Sequence, residues 1–181
     1  MQVRFTQGQV SNLFKEALAL FFAKETSHIL SGVAERSLCA RLAIYLERLL
    51  PNIHAADYYA DTEYNRKQKG EIKTIIDDNL QIVKIHCDLL VHSRGEQVPD
   101  NLIAVEMKKS NAPEDEKAKD RLRLRALTKK SEVYNWKDVE PEVHVSGYII
   151  GIYMELDLKN RTCIFEKYKG GDIIDKWGQD F

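Results

Sequence analysis

A chain of 181 residues with 44% apolar and 30% charged side chains has the material for the core of one domain and is too apolar for a disordered segment. Its net charge of -1 excludes a polycation, so a nucleic-acid partner has to be met by a local basic patch.

Leu13, Ala17, Leu20 and Phe21 stand at helical spacing and predict a helix from Val10 to about Lys24, with Ser11 as a candidate cap. Gly32 precedes a second helix, about Val33 to Leu50, with an apolar stripe of Leu38, Leu42, Tyr45, Leu46 and Leu49, and Pro51 ends it. From Asp57 the texture changes to strand formers, Tyr58, Tyr59, Thr62 and Tyr64, and a turn near Gly70 leads to a returning strand over Ile72–Ile76. Gln81–His92 reads as one buried strand closed by Ser93-Arg94-Gly95, and Leu102–Lys108 as another. Pro113 and Glu114-Asp115-Glu116 mark a helix start, acids at the positive end of the dipole, and that helix runs to about Leu127. Strands near His144–Leu156 and Thr162–Tyr168 follow, and Gly170-Gly171 introduces a short tail whose pattern assigns no structure. The order helix, strands, helix, strands predicts an α/β fold, a mixed central sheet flanked by helices. No repeat or linker divides the chain, so a single domain over 1–181 is expected, its core about 31–168 with the helix 10–24 packed on it.

Cys39, Cys87 and Cys163 are scattered, odd in number and not at zinc-ligand spacing, which argues against a disulfide framework and for a reducing compartment. Lys15, Glu16 and Lys24 interrupt the N-terminal apolar run, against a signal peptide, and no apolar stretch is long enough to cross a bilayer. A cytoplasmic protein with no membrane partner is expected.

The chemistry concentrates in His86-Cys87-Asp88 and Val105-Glu106-Met107-Lys108. Alternate strand residues share a face, so Glu106 and Lys108 point one way and Val105 and Met107 the other. A short turn joins the two strands and makes them neighbours, which converges two carboxylates and an ammonium on a hydrophobic sheet. Two carboxylates buried together repel, and a divalent cation relieves the repulsion. Hard oxygen ligands with room for water suit Mg²⁺ or Mn²⁺. Lys108 can then help activate a metal-bound water and offset charge developing on a phosphate. A lone Glu-X-Lys usually marks a solvated strand face. Here the flanks Leu102-Ile103-Ala104 and Leu89-Leu90-Val91 are apolar, so these strands read as central.

Glu35 extends the buried stripe of its helix, three and four residues before Leu38 and Cys39. It reads equally as a carboxylate aimed at the sheet or as a first-turn Glu favoured by the dipole. From Lys108 to Lys130 there are nine Lys or Arg against four Asp or Glu. That excess either grips phosphates or is the wet side of an amphipathic helix with Leu122, Leu124 and Leu127 partly inward, and both can hold at once. Asp120 and Arg123 are spaced for a helical ion pair. His86 shares the Asp88 strand face and can support it, though His86 and His92 satisfied by backbone groups is the preferred reading. The cysteines read as small core residues.

Taken in order, Asp61-Thr62-Glu63-Tyr64-Asn65-Arg66, Cys87 to Gly95, Asn101 to Lys108 and Asp120 to Leu127 resemble the PD-(D/E)XK nuclease superfamily, in particular a group of small bacterial or phage members. The resemblance covers roughly residues 31 to 155. It implies a restriction-endonuclease-like αβββαβ core. It implies that Asp88 and Glu106 bind metal with the Met107 backbone carbonyl, that Lys108 is the motif lysine, and that Glu35 is the leading-helix acid that contacts the metal or its water. Lys109, Lys119 and Arg123 are the residues expected to meet nucleic acid. Two departures stand out. Cys87 replaces the name-giving proline, which shapes the strand and ligates nothing. Arg123 falls where similar sequences carry Lys, which keeps the charge and changes its geometry. Glu63, Asn65 and Arg66 have no role derivable from the sequence.

The expected function is hydrolysis of DNA phosphodiester bonds through an Mg-bound water, leaving 5′-phosphate and 3′-hydroxyl ends. A scaffold that keeps the fold without activity, and a cutting subunit dependent on a partner or a homo-oligomer, stand beside it. No helix-turn-helix, zinc finger or P-loop supplies target choice.

Overall fold

The computed structural model of the chain describes residues 5–62, 74–76, 82–84, 87–129 and 146–181. The first helix, α1 (Gln7–Leu30), is opened by a capping box. Thr6 Oγ1 accepts from the Gln9 amide at 3.2 Å, and Gln9 Oε1 accepts from the Thr6 amide at 2.9 Å. The helix therefore starts before the apolar stripe does, and Ser11 lies inside it rather than at its cap. It also outlasts Lys24, ending where Gly32 takes a φ of 77°. Val10, Leu13, Phe14, Ala17, Phe21 and Ile29 form its buried face, and Leu20 is 36% exposed. Helix α2 (Glu35–Leu49) buries Leu38, Cys39, Leu42, Tyr45 and Leu46, and a 3₁₀ turn over Leu50–Ile53 carries Pro51. Glu25 of α1 clasps α2: it accepts from Arg41 at 2.7 and 2.9 Å and from the Tyr45 hydroxyl at 2.5 Å.

Six strands form one mixed sheet in the order β1 (Tyr59–Thr62), β4 (Leu89–His92), β5 (Asn101–Lys109), β6 (Ile150–Asp157), β7 (Thr162–Lys169) and β8 (Asp172–Asp180). A separate antiparallel pair consists of β2 (Thr74–Ile76) and β3 (Ile82–Lys84). In the main sheet β5 and β6 run parallel and every other pair is antiparallel. A parallel pair needs a crossover, and α3 (Glu114–Thr128) lies between β5 and β6 in the chain. Both strands are central, which is why Leu102–Met107 and Ile150–Met154 are buried on both faces.

Helices α1 and α2 pack on one face of the sheet, against Leu89, Val91, Val105, Met107, Ile152 and Met154. Helix α3 packs on the other with Leu90, Ala104, Tyr153 and Tyr168.

Two expected segments differ. Gln81–His92 is not one strand: β3 belongs to the small sheet, and Cys87 and Asp88 precede β4. The reason is local, since the Asp88 carboxylate accepts the Met107 amide at 2.8 Å, a side-chain bond in place of a ladder bond. The tail after Gly171 forms β8, the edge strand beside β7. Trp177 stacks on Phe165 at 4.7 Å and Phe181 on Phe22 at 5.1 Å, so aromatic contacts fix a strand whose own residues are largely exposed. Among the described residues no helix is long and apolar enough to cross a membrane.

Candidate active site

The alternation of β5 puts Ala104, Glu106 and Lys108 on the α3 face of the sheet. Glu106 is fully buried there, and Arg123 of α3 donates to it, Nη1 to Oε1 at 2.5 Å. The same Nη1 lies 3.0 Å from Asp120 Oδ1, the ion pair expected from their spacing. Asp120 in turn is 3.2 Å from the Lys108 ammonium through Oδ2. Glu35, in the first turn of α2, reaches over the end of β5. Its Oε1 accepts the Lys109 amide at 2.8 Å, and its Oε2 is 3.7 Å from Lys108 Nζ. Both sequence readings of Glu35 hold: it is a first-turn acid, and it aims at the sheet. Asp88, hydrogen-bonded to the Met107 amide, stands at the start of β4 beside Glu106.

Charge is crowded in this corner. Burial raises the Glu106 carboxyl well above its usual range, the Asp88 charge adds to that, and Arg123 opposes it. Burial also raises Asp88, against the Met107 amide and the Lys108 charge. At Lys108 burial favours the neutral amine, but Asp120, Glu35 and Asp88 outweigh it and the pKa rises. Arg123 is held cationic in the same way, with Glu106 and Asp120 overcoming its burial. The corner contains four carboxylates, Glu35, Asp88, Glu106 and Asp120, against two cations, Lys108 and Arg123.

An orphaned carboxylate oxygen in this corner fits a divalent cation. Glu106 Oε2 is buried with no hydrogen-bond partner, which is costly for a carboxylate oxygen away from water. Among the described residues no group of three or more His, Cys, Asp or Glu side chains is placed to hold a metal. Two carboxylates completed by a main-chain oxygen and water are nevertheless a donor set that Mg²⁺ accepts. The Met107 amide faces Asp88, and the carbonyl of a strand residue leaves along the same edge as its amide. The Met107 side chain is buried on the opposite face, its Sδ 4.0 Å from Cys39 Sγ.

Comparison with family models, curated proteins and solved structures returns no match to this chain. The functional reading therefore rests on the geometry of this corner.

The three residues expected to meet nucleic acid are placed differently. Lys119 is 68% exposed and pairs with Asp115 at 3.2 Å. Lys109 ties the end of β5 to the turn before α2, its Nζ donating to the Gly32 carbonyl at 2.8 Å. Arg123 faces Glu106 and Asp120. Other cations of α3 also turn inward. Lys117 is buried and donates to the Ser110 carbonyl, Glu114 and Glu155 at 2.8 to 3.0 Å. Arg121 reaches Glu166 at 3.1 Å and lies over the Tyr153 ring.

Asp120 is the site residue whose role the sequence reading missed. Lys117, Asp120, Leu124 and Leu127, all buried, follow one another at intervals of three and four, so the inward stripe was readable once polar residues were admitted to it. Reading it from the leucines alone wrongly turned in Leu122, which is 55% exposed.

His92 is buried at the far end of β4 from Asp88, with Nε2 3.1 Å from Asp61 Oδ2. The partner at that nitrogen is a carboxylate. Arg94 forks onto the same Asp61 at 2.7 and 2.8 Å. Burial of Asp61 is outweighed by these bonds, and its carboxyl lies well below the usual range. The three cysteines are buried and free, as core residues would be. The positions of His86, Glu63, Asn65, Arg66 and His144 lie outside the described residues.

Proposed function

We propose that this chain is a cytoplasmic, metal-dependent nuclease of the PD-(D/E)XK type that hydrolyses phosphodiester bonds of DNA. The observation that carries the reading is the convergence of Asp88, Glu106, Lys108 and Glu35 on one end of β4 and β5, with a buried Glu106 oxygen left unpartnered. The order α2, β1, β4, β5, α3, β6, with β4 and β5 antiparallel and β5 and β6 parallel, supports the likeness to the αβββαβ core. The β2–β3 pair is then an insertion.

Asp88, Glu106 and the Met107 carbonyl would hold Mg²⁺ or Mn²⁺. When bound, such an ion neutralises charge at the phosphoryl group and activates water. Lys108 is held protonated between Glu35 and Asp120. A protonated amine cannot take a proton, so its part is to donate to a phosphoryl oxygen as negative charge builds on it. Glu35 and Asp120 aim that amine, and burial of the sheet face around Glu106 keeps bulk water from screening it.

Supercoiled plasmid and linear single-stranded DNA, each with Mg²⁺ or Mn²⁺, test the reading. Nicking or degradation is expected, abolished by EDTA and reduced at least about a hundredfold in Asp88→Ala and Lys108→Ala. Cleavage unchanged in both variants would sink the site assignment. A second reading, a nuclease-fold subunit that needs a partner or a second copy to grip its substrate, is favoured by the inward engagement of Lys117, Arg121 and Arg123. It predicts Mn²⁺ binding without cleavage by the isolated chain.

A further inference from the structure

Arg123 stands where no phosphate-gripping residue needs to be. It is largely buried, and its Nη1 bridges Glu106 and Asp120 at 2.5 and 3.0 Å. Glu106 is thus served on one oxygen by a guanidinium, while the other oxygen has no partner. Two buried carboxylates on facing elements, one on β5 and one on α3, would repel without this cation. A divalent ion approaching Glu106 meets a resident positive charge on the same carboxylate.

Resting on the metal-site reading above, we infer that Arg123 is a built-in counter-cation: it holds the acidic corner assembled without metal and, by competing for Glu106, lowers the affinity of the site for a divalent ion. Arg123 is in this sense a positioning residue that sets when the site fills. The geometry separates it from Lys108, whose ammonium lies against Asp120 and Glu35. Because the guanidinium and the metal oppose one another at one carboxylate, each weakens the other by the same factor. Removing the guanidinium tightens metal binding and loosens the metal-free fold.

Calorimetric titration of the metal-free full chain with MnCl₂ at fixed ionic strength reads this directly, on wild type, Arg123→Gln, Arg123→Lys and Asp88→Asn. Melting followed by circular dichroism is run on the same proteins in EDTA and at saturating Mn²⁺. Arg123→Gln is expected to bind Mn²⁺ about tenfold more tightly than wild type, to melt lower in EDTA, and to recover the wild-type melting temperature in Mn²⁺. Arg123→Lys, which keeps a charge but not the planar fork, falls between the two. A glutamine variant that is unfolded in EDTA and folded in Mn²⁺ is the same result in its strongest form. Equal or weaker Mn²⁺ affinity in Arg123→Gln overturns the inference, and so does a variant that stays unfolded at saturating Mn²⁺. The Asp88→Asn arm separates the two levels of the argument. Mn²⁺ binding that needs Asp88 but ignores Arg123 removes the inference and leaves the metal site standing. An absence of Mn²⁺ binding in wild type and Arg123→Gln alike removes both.

Discussion

Asp88 shows what a buried carboxylate costs the fold. Its carboxylate accepts the Met107 amide, yet burial, with the Asp120 charge adding to it, raises its pKa above the ordinary 3.8. A folded pKa above the unfolded one means that the folded state binds the proton more tightly, so metal-free stability falls as pH rises through the folded value. Asn keeps an oxygen for the Met107 amide and carries no charge. Asp88→Asn should therefore be more stable than wild type in EDTA at pH 7, by about 1 kcal/mol, a common gain when a functional strain is removed. The gain should shrink as pH falls through the raised pKa and vanish below the ordinary value, where both forms are neutral. Saturating Mn²⁺ should reverse the order by stabilising wild type alone. Melting curves between pH 3.5 and pH 8 check all three, and a gain independent of pH would show that the charge is not its cause. Glu106 and Lys108 were legible together from alternation along β5, because that rule is local. The roles of Asp120 and Arg123 were not, since each depends on which face of α3 meets the sheet.

Elements place these residues, and two contacts show how. Gly151 of β6 lies under α3: a Cβ there would come within 2.9 Å of Thr128 Cγ2 and 3.3 Å of Leu124 Cδ2. Gly151→Val should push α3 off the sheet, cost about 1–3 kcal/mol by overpacking, and tighten Mn²⁺ binding by displacing Arg123 from Glu106. A loss of stability with unchanged metal affinity would mean that α3 does not position the site. The capping box of α1 is remote from the chemistry, so Thr6→Ala should lower stability by about 1 kcal/mol and leave metal affinity untouched, as chemical denaturation and calorimetry would show. Its T-x-x-Q pattern was present in the sequence. The apolar stripe drew the start to Val10 because the first turn of the helix buries little. Strand β8 was illegible for a related reason: its residues are mostly exposed, and it is fixed by Phe165 and Phe22 from elsewhere in the chain.

For the whole molecule, charge distribution matters more than charge count. The segment from Lys108 to Lys130 holds nine Lys or Arg, but Lys117, Arg121 and Arg123 are tied to Glu155, Glu166, Glu106 and Asp120. Few of the cations on α3 are left to release counterions from DNA. Metal-free binding to duplex DNA should be weak, with log K falling against log salt at a slope of about -2 to -3. Fluorescence anisotropy between 50 and 200 mM salt measures it, and a slope steeper than about -6 would show a larger basic face than these pairs allow. The sequence by itself determined that the chain is α/β, where most helices and central strands fall, and that Asp88, Glu106 and Lys108 form a candidate site. Those properties follow from periodicities of two and 3.6 residues and from short turns. Tertiary structure alone decided the strand order, the pairing of the tail as β8, and which charges meet. Glu35 and Lys109 are hydrogen-bonded across 74 positions of sequence, and Arg123 faces inward because α3 packs its Leu124 and Leu127 stripe on the sheet. Contacts of that range are set by how whole faces pack, which no local pattern encodes.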